Sequence, residues 1–180
     1  MATFAALLAG GIMLASSGFA LRSSEFQNGG TIPQADSYRG YGCSGQNTSP
    51  QLAWSAAPRG TKSFALTVFD PDARAGAGWW HWVIYDIPAN VRTLAHDAGN
   101  AAGSGAPAGS AQGVTSFNAT GYGGPCPPPV DAPHHYVFKI YALDVAHPAR
   151  GAGPFSGPAL LSALRGHVLG VAQLVGRFGR

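Results

Sequence analysis

The chain has 180 residues, enough for one hydrophobic core, and its 46% hydrophobic content excludes a disordered protein. Charged residues make up only 11%, and the net charge of +3 includes no run of Lys or Arg that could follow a phosphate backbone. Composition therefore argues against nucleic acid as a partner. The 26 glycines and 14 prolines favour a single β-rich, loop-rich domain.

The first 17 residues carry no charged side chain. Their apolar run from Phe4 to Ala15 is shorter than the roughly 20 residues that span a bilayer. We interpret residues 1–17 as a signal peptide and residues 18–180 as the mature domain, although no Lys or Arg precedes the apolar run. The protein would then be periplasmic or secreted, with no integral membrane segment after signal removal. A buried N-terminal segment or a disordered leader is the alternative.

Several short segments have the composition and alternation of β-strands. They are residues 19–21, 51–54, 63–69, 81–87 and 136–144. Residues two apart in a strand share a face. The predicted faces are Phe64, Leu66 and Val68 opposite Ala65, Thr67 and Phe69, and Tyr136, Phe138, Ile140 and Ala142 opposite Val137, Lys139, Tyr141 and Leu143.

The second half of the chain contains a low-complexity stretch and a helical pattern. Residues 99–113 read as a flexible surface loop without packing residues. Ser156 and Pro158 are typical of a helix start, and apolar residues from Leu160 to Val175 recur near a 3.6 period. The sequence thus predicts a long C-terminal amphipathic helix. Strands followed by a helix indicate a mainly β, two-sheet sandwich with a helix at one end.

Two polar clusters stand where loops meet strands. Asp70 and Asp72 end one apolar run, and His81 follows two tryptophans. His134 and Tyr136 begin another strand and share one face of it, whereas His135 faces the other way. Buried carboxylates and indoles need partners, so we interpret these segments as the two halves of one polar, aromatic-walled pocket.

These clusters resemble the phosphatidylethanolamine-binding protein family, in particular its bacterial, Raf-kinase-inhibitor-like branch. The resemblance runs from about Phe19 to the C-terminus. It is carried by GCSGQNTSPQLAW (42–54), GTKSF (60–64), DPD (70–72), WWHW (79–82), GPCPP (124–128), HHY (134–136) and GHVL (166–169).

The resemblance implies an antiparallel β-sandwich with a cavity for a small anion or a phospholipid head group. The implied ligand-binding residues are Asp70, Asp72, His81, Pro127, Pro128, His134 and Tyr136. Imidazole rings can donate to an anion, while carboxylates fix a tautomer or meet a cation on the ligand. The family also implies inhibition of kinases or proteases, but no residue encodes a protein target. We interpret the chain as a non-enzymatic binding protein without a cofactor, a catalytic residue or a metal.

Two other chemistries use the same residues. His81, His134 and Asp70 are suitable ligand types for a divalent metal such as zinc. A histidine base oriented by an aspartate would suit a hydrolase, but no GxSxG motif supplies a nucleophile. One departure from the family pattern is Arg74, which stands where a proline is usual. It adds a cation that either pairs with Asp72 or reaches an anionic ligand.

The two cysteines, Cys43 and Cys126, both lie in Gly/Pro-rich segments beside the predicted pocket. In an exported protein, this even count predicts one disulfide. Such a bond closes a loop of roughly 80 residues and contributes about 4 kcal/mol in the chain-entropy account. Two buried thiols in a cytosolic protein are the alternative.

Overall fold

A computed structural model describes residues 18–148 and 154–180, so the predicted signal peptide lies outside the described residues. The strands are β1 (Leu21–Arg22), β2 (Arg39–Gly40), β3 (Cys43–Ser44), β4 (Leu52–Trp54), β5 (Ser63–Asp70), β6 (Trp79–Pro88), β7 (Thr93–Leu94), β8 (Ala111–Gln112), β9 (His134–Leu143) and β10 (Val168–Phe178). The α-helix, α1, spans Gly157–Ala163. No helix in the described ranges has the length and apolar character needed to cross a membrane.

The strands form two main sheets and a short ribbon. A five-stranded sheet has the order β10-β9-β5-β6-β8, a three-stranded sheet has the order β1-β4-β7, and β2 pairs with β3. All of these pairings are antiparallel. The predicted fold class, mainly β with antiparallel sheets and a helix in the C-terminal region, is confirmed.

The period-2 pattern of β5 and β9 predicts their buried faces correctly. Phe64, Leu66 and Val68 of β5 lie in the main core, whereas Ala65 lies in a second cluster on the opposite face. That second cluster contains Leu160 and Leu164, so it buries the apolar side of α1. The two faces of this central strand thus pack against two separate hydrophobic clusters.

The predicted length of the C-terminal helix is wrong. Ser156 caps α1 as expected, because its Oγ accepts the N–H of Ala159, but the helix ends at Ala163. Gly166, at φ +80°, follows in the left-handed region that terminates helices, and residues 168–178 form strand β10. β10 pairs with β9 along its length, from Val168 opposite Leu143 to Phe178 opposite His134. Tertiary pairing overrides the local 3.6 period.

The prediction that residues 99–113 lack packing residues is also wrong. Ala111 and Gln112 form β8 at the sheet edge, and the Gln112 side chain accepts the indole N–H of Trp82 at 2.7 Å. Gly99 is tightly enclosed, since a Cβ there would lie 2.7 Å from Tyr122 and 2.9 Å from Trp82. The small residues of this segment therefore permit close packing.

The predicted disulfide is present between Cys43 and Cys126, with Cα atoms 5.9 Å apart. It joins the β2–β3 ribbon to the proline-rich segment before β9. The two-residue turn of the ribbon has positive φ at both Tyr41 and Gly42, as a type I′ hairpin turn requires. The disulfide thus fixes the ribbon against the loop that carries Pro127 and Pro128.

Candidate ligand-binding cavity

Three neighbouring strands bring the predicted site residues to one end of the large sheet. Strand β5 ends at Asp70, directly opposite Trp79 at the start of β6, and β9 starts at His134 on the other side of β5. Antiparallel neighbours place the end of one strand beside the beginning of the next. Two segments that lie about sixty residues apart in sequence therefore meet (His134 and Asp70 differ by 64 positions).

A cavity of about 520 Å³ opens at this end. Its walls come from Tyr41, Asp70, Ala73, Arg74, Trp79, His81, Ser116, Phe117, Asn118, Cys126, Pro127, Pro128, Asp131, His134 and Tyr136. Six of the seven predicted ligand-binding residues line it. The exception among them is Asp72, whose carboxylate takes part in other contacts.

Asp70 and His134 form a buried ion pair at the cavity wall. The His134 Nδ1 atom lies 2.7 Å from Asp70 Oδ2, and the two side chains are 6% and 3% exposed. The other oxygen of Asp70 accepts the backbone N–H groups of Asp72 and Ala73. Burial lowers the pKa of His134, but the hydrogen bond and charge of Asp70, helped by Asp131, outweigh burial and raise that pKa. Asp70 thus favours the cationic form of the His134 ring.

His81 is the extra residue of a β-bulge. Val68 pairs with Trp82 and Phe69 with Trp80, so the register of β6 skips His81. A bulge re-aims a side chain, and here the His81 ring meets the Tyr136 ring at 5.1 Å, edge to face. Burial lowers the pKa of His81 to about 4, although the Gly123 carbonyl and the Asp70 charge oppose this shift. His81 is therefore neutral at neutral pH.

The tautomer of His81 follows from its hydrogen bond. Its Nδ1 lies 2.6 Å from the carbonyl oxygen of Gly123, which can only accept. The Nδ1 atom must therefore carry the proton, and Nε2 is left as an acceptor. His81 can thus accept a proton-bearing group of a ligand.

Tyr136 packs beneath the two histidines. Its hydroxyl is buried and has no hydrogen-bond partner within residues 18–148 and 154–180. Burial and the nearby Asp70 charge raise the pKa of Tyr136, so the phenol stays protonated. A buried hydroxyl without a partner is a donor available at the cavity wall.

Asp72 acts on the opposite side of β9. Its Oδ2 accepts the backbone N–H of His135 at 2.7 Å and lies 2.8 Å from the ring Nδ1. Burial raises the pKa of Asp72, but these bonds to His135 outweigh burial and lower the pKa overall. Arg177 donates to the other ring nitrogen of His135 at 3.1 Å. Asp72 therefore holds the start of β9 in place, and His135 faces away from the cavity as the alternation predicts.

Arg74 adds a second cation to the cavity. It lines the wall, and its guanidinium carbon lies 5.4 Å from the centre of the Trp79 ring. No ion pair joins it to Asp72 in the described part of the chain. Of the two roles open to Arg74 in the sequence, the geometry favours the one toward a ligand.

Aromatic rings packed against one another form one side of the cavity. The Phe117 ring lies 4.7 Å from Tyr38 and 5.3 Å from Trp79, and Tyr38 in turn stacks on Tyr41 at 5.5 Å. Phe117 also meets His81 edge to face at 5.5 Å. The Tyr41 side chain is exposed at the mouth. The wall thus extends from buried His81 to solvent.

Comparison with known proteins identifies the chain. The family model for phosphatidylethanolamine-binding protein matches residues 22–179. The chain belongs to the phosphatidylethanolamine-binding protein family. This confirms the family predicted from the DPD, WWHW, GPCPP and HHY motifs.

Relatives in this family come from bacteria and archaea. The chain is 50% identical to the UPF0098 protein YbcL of Escherichia coli over 125 residues, 69% of this chain and 68% of that protein. It is 39% identical to a UPF0098 protein of Methanothermobacter thermautotrophicus over 163 residues, 89% of this chain and 98% of that protein. The crystal structure of YbcL matches with a TM-score of 0.85 at 41% identity, covering 90% of this chain and 98% of that one.

Several residues of the cavity were not predicted from the sequence. Asp131, Tyr41 and Phe117 line it but occur in loops without a recognisable pattern. A signal existed only for Trp79, in the tryptophan run, and for Arg74, as a departure from the family pattern. Residues 99–113 contribute nothing to the lining. The alternative metal-ligand set of His81, His134 and Asp70 is not among the groups close enough to share an ion in the described ranges.

Proposed function

We propose that the cavity binds a small phosphorylated ligand of the phospholipid-head-group type. The observation that carries this proposal is the placement of Arg74 and of His134, whose cationic form Asp70 favours, beside an aromatic wall in one cavity. The cavity volume of about 520 Å³ lies within the range of small-molecule sites. Family membership supports a binding role of this kind.

The anionic end of the ligand would be held by Arg74 and His134. A guanidinium group presents paired N–H donors that match phosphate oxygens. The His134 ring uses Nδ1 for Asp70, so its Nε2, 3.3 Å from Asp131, is the nitrogen available to a phosphate. Neutral His81 would accept from a protonated phosphate oxygen or an ammonium group through Nε2.

The cationic end of a zwitterionic ligand would be held by Asp131. Asp70 cannot serve well, because both of its oxygens are already occupied by His134 and by backbone N–H groups. Asp131 is partly exposed, and a phosphate that took over the His134 Nε2–H would free its carboxylate. The faces of Trp79 and Tyr41 can add cation–π attraction. A phosphoethanolamine group would satisfy both ends.

Isothermal titration calorimetry with O-phosphoethanolamine and inorganic phosphate tests this function. Arg74→Ala should weaken binding of both ligands roughly tenfold to a hundredfold, because a charge-assisted hydrogen bond is lost. Asp131→Asn should weaken phosphoethanolamine binding more than binding of inorganic phosphate. Arg59→Ala is the matched control, because Arg59 is exposed and does not line the cavity. Equal affinities in the wild type and Arg74→Ala would contradict the proposal.

A hydrolase using the same pocket is the competing function. The same samples should be assayed for turnover of nitrophenyl phosphate and nitrophenyl acetate. We expect none above the rate of His81→Ala, and turnover that His81→Ala abolishes would favour an enzyme. No described residue points to a kinase or protease target, so the proposal is confined to the small ligand.

We also propose that the protein functions in the periplasm or outside the cell. The disulfide between Cys43 and Cys126 supports this, because such bonds persist in oxidising compartments. Fractionation of cells expressing the full chain tests it. Recovery of the protein only from the cytoplasm, with reduced cysteines, would contradict the proposal.

A further inference from the structure

Three potential metal ligands converge at a second place, outside the cavity. Glu25 follows β1, Asp36 ends a 3₁₀ turn, and His96 follows β7. Their ligand atoms all lie within 4.8 Å of one another, and His96 Nδ1 is 3.1 Å from Glu25 Oε1. None of the three lines the cavity. Segments from separate parts of the chain thus meet at one mixed nitrogen and oxygen cluster.

Asp36 gives independent evidence for a ligand at this cluster. Its side chain is completely buried, and its Oδ2 has no hydrogen-bond partner in the described ranges. Its Oδ1 has only the Thr48 hydroxyl, at 3.3 Å. A buried carboxylate oxygen without a hydrogen-bond partner is costly, and the neighbouring Glu25 carboxylate increases that cost. A cation bound between them would satisfy both groups.

We propose that Glu25, Asp36 and His96 bind a divalent transition-metal ion, with Zn²⁺ as the best match. One imidazole nitrogen and two carboxylate oxygens are ordinary zinc ligands, whereas Mg²⁺ and Ca²⁺ prefer oxygen alone. Zinc–ligand distances of about 2.0–2.2 Å require the three groups to move inward slightly. The His96 side chain is half exposed, so it is free to move and leaves an entry path and a water position.

The consequence of metal binding would be structural. The ion would tie the segment after β1 and the turn at Asp36 to the loop after β7. Gln51 already donates its backbone N–H to the Glu25 carboxylate, which orients this ligand. A hydrogen bond that orients a metal ligand supports metal affinity. Metal binding should therefore raise the stability of the domain without changing the ligand-binding cavity.

Calorimetric titration of the full chain with Zn²⁺, at neutral pH in a non-coordinating buffer, tests the proposal. We expect one ion per chain. His96→Ala and Asp36→Asn should each weaken binding by more than the roughly tenfold to hundredfold typical of losing a group that only orients a metal ligand. Zn²⁺ should raise the melting temperature of the wild type and not of these variants. Circular dichroism of each metal-free variant checks that it folds.

His167→Ala is the matched control, because His167 pairs with Asp144 at 2.9 Å in an exposed two-residue contact that no third ligand among the described residues joins. This variant should bind Zn²⁺ like the wild type. The proposal is overturned if the wild type takes up no Zn²⁺ or if His96→Ala binds normally. It is also overturned if only Ca²⁺ binds, or if His81→Ala abolishes uptake instead, since that places the ion in the cavity.

Discussion

The Nδ1 atom of His134 lies 2.7 Å from Oδ2 of Asp70, and this pair joins the start of β9 to the end of β5. The carboxylate also accepts two backbone N–H groups of the turn that leads to Arg74. One buried contact therefore sets the charge of His134 and anchors the turn on which the second cation stands.

Because of this ion pair, the contribution of His134 to the stability of the domain should fall as pH rises. The pKa of His134 is raised in the folded protein, so the folded state binds more protons than the unfolded state above the ordinary value of about 6.5. Its stabilisation is complete below about pH 6.5 and is lost through the raised pKa. Thermal unfolding should show the advantage of wild type over His134→Gln shrinking across this window. An advantage that grows with pH would contradict the pair.

His81 has the opposite pH dependence. Its folded pKa of about 4 lies below the unfolded value, so stability is present above about pH 6.5 and lost as pH falls through about 4. The loss should reach about 3 kcal/mol at low pH. His81→Asn can still donate to the Gly123 carbonyl, and it should remove this acid-dependent component in urea unfolding. Nitrogen NMR should show a neutral Nδ1–H imidazole at neutral pH, and an Nε2–H tautomer would contradict the assignment.

The two histidines also show how far the sequence determines the site. His134 and Tyr136 share a face because β9 is regular, so their convergence follows from a period of 2. His81 could not be placed in the same way, because the bulge moves Trp82 to the main core and leaves Trp80 on the opposite face. A bulge depends on the partner strand, which the local sequence does not contain.

Removing the disulfide should destabilise the domain. The double variant Cys43→Ser/Cys126→Ser opens a loop between residues 83 positions apart, and we expect a loss of about 4 kcal/mol in urea unfolding. Dithiothreitol should lower the stability of the wild type to that of the variant and leave the variant unchanged. Equal unfolding midpoints for the oxidised wild type and the variant would contradict a stabilising role.

The last residue is expected to support the cavity. Arg180 donates through Nε to the Pro127 carbonyl at 2.6 Å and through a terminal nitrogen to the Tyr41 carbonyl at 3.3 Å. Arg180→Ala should therefore weaken phosphoethanolamine binding severalfold while changing the free energy of unfolding by under about 1 kcal/mol. Arg165→Ala, an exposed arginine that does not line the cavity, is the calorimetric control. Unchanged affinity in Arg180→Ala would contradict this prediction, because the loop that carries Pro127 would then keep its position without Arg180.

The C-terminal region shows why some elements escape prediction. Leu160 and Leu164 pack as a helix face, and the following Leu and Val residues continue a similar spacing. Residues 168–178 become a strand because β9 offers an edge along its whole length. Arg74 and Asp131 also come from loops, and only the folded chain places them in the same cavity.

The central claim is that Arg74 and His134 receive a phosphate group in the cavity. The most direct test is a heteronuclear NMR titration of the wild type with O-phosphoethanolamine. We predict saturable shifts of the His134 and His81 ring signals and of the backbone at Arg74, Trp79 and Asp131. Shifts confined to residues outside the cavity, or none at saturating ligand, would contradict the account.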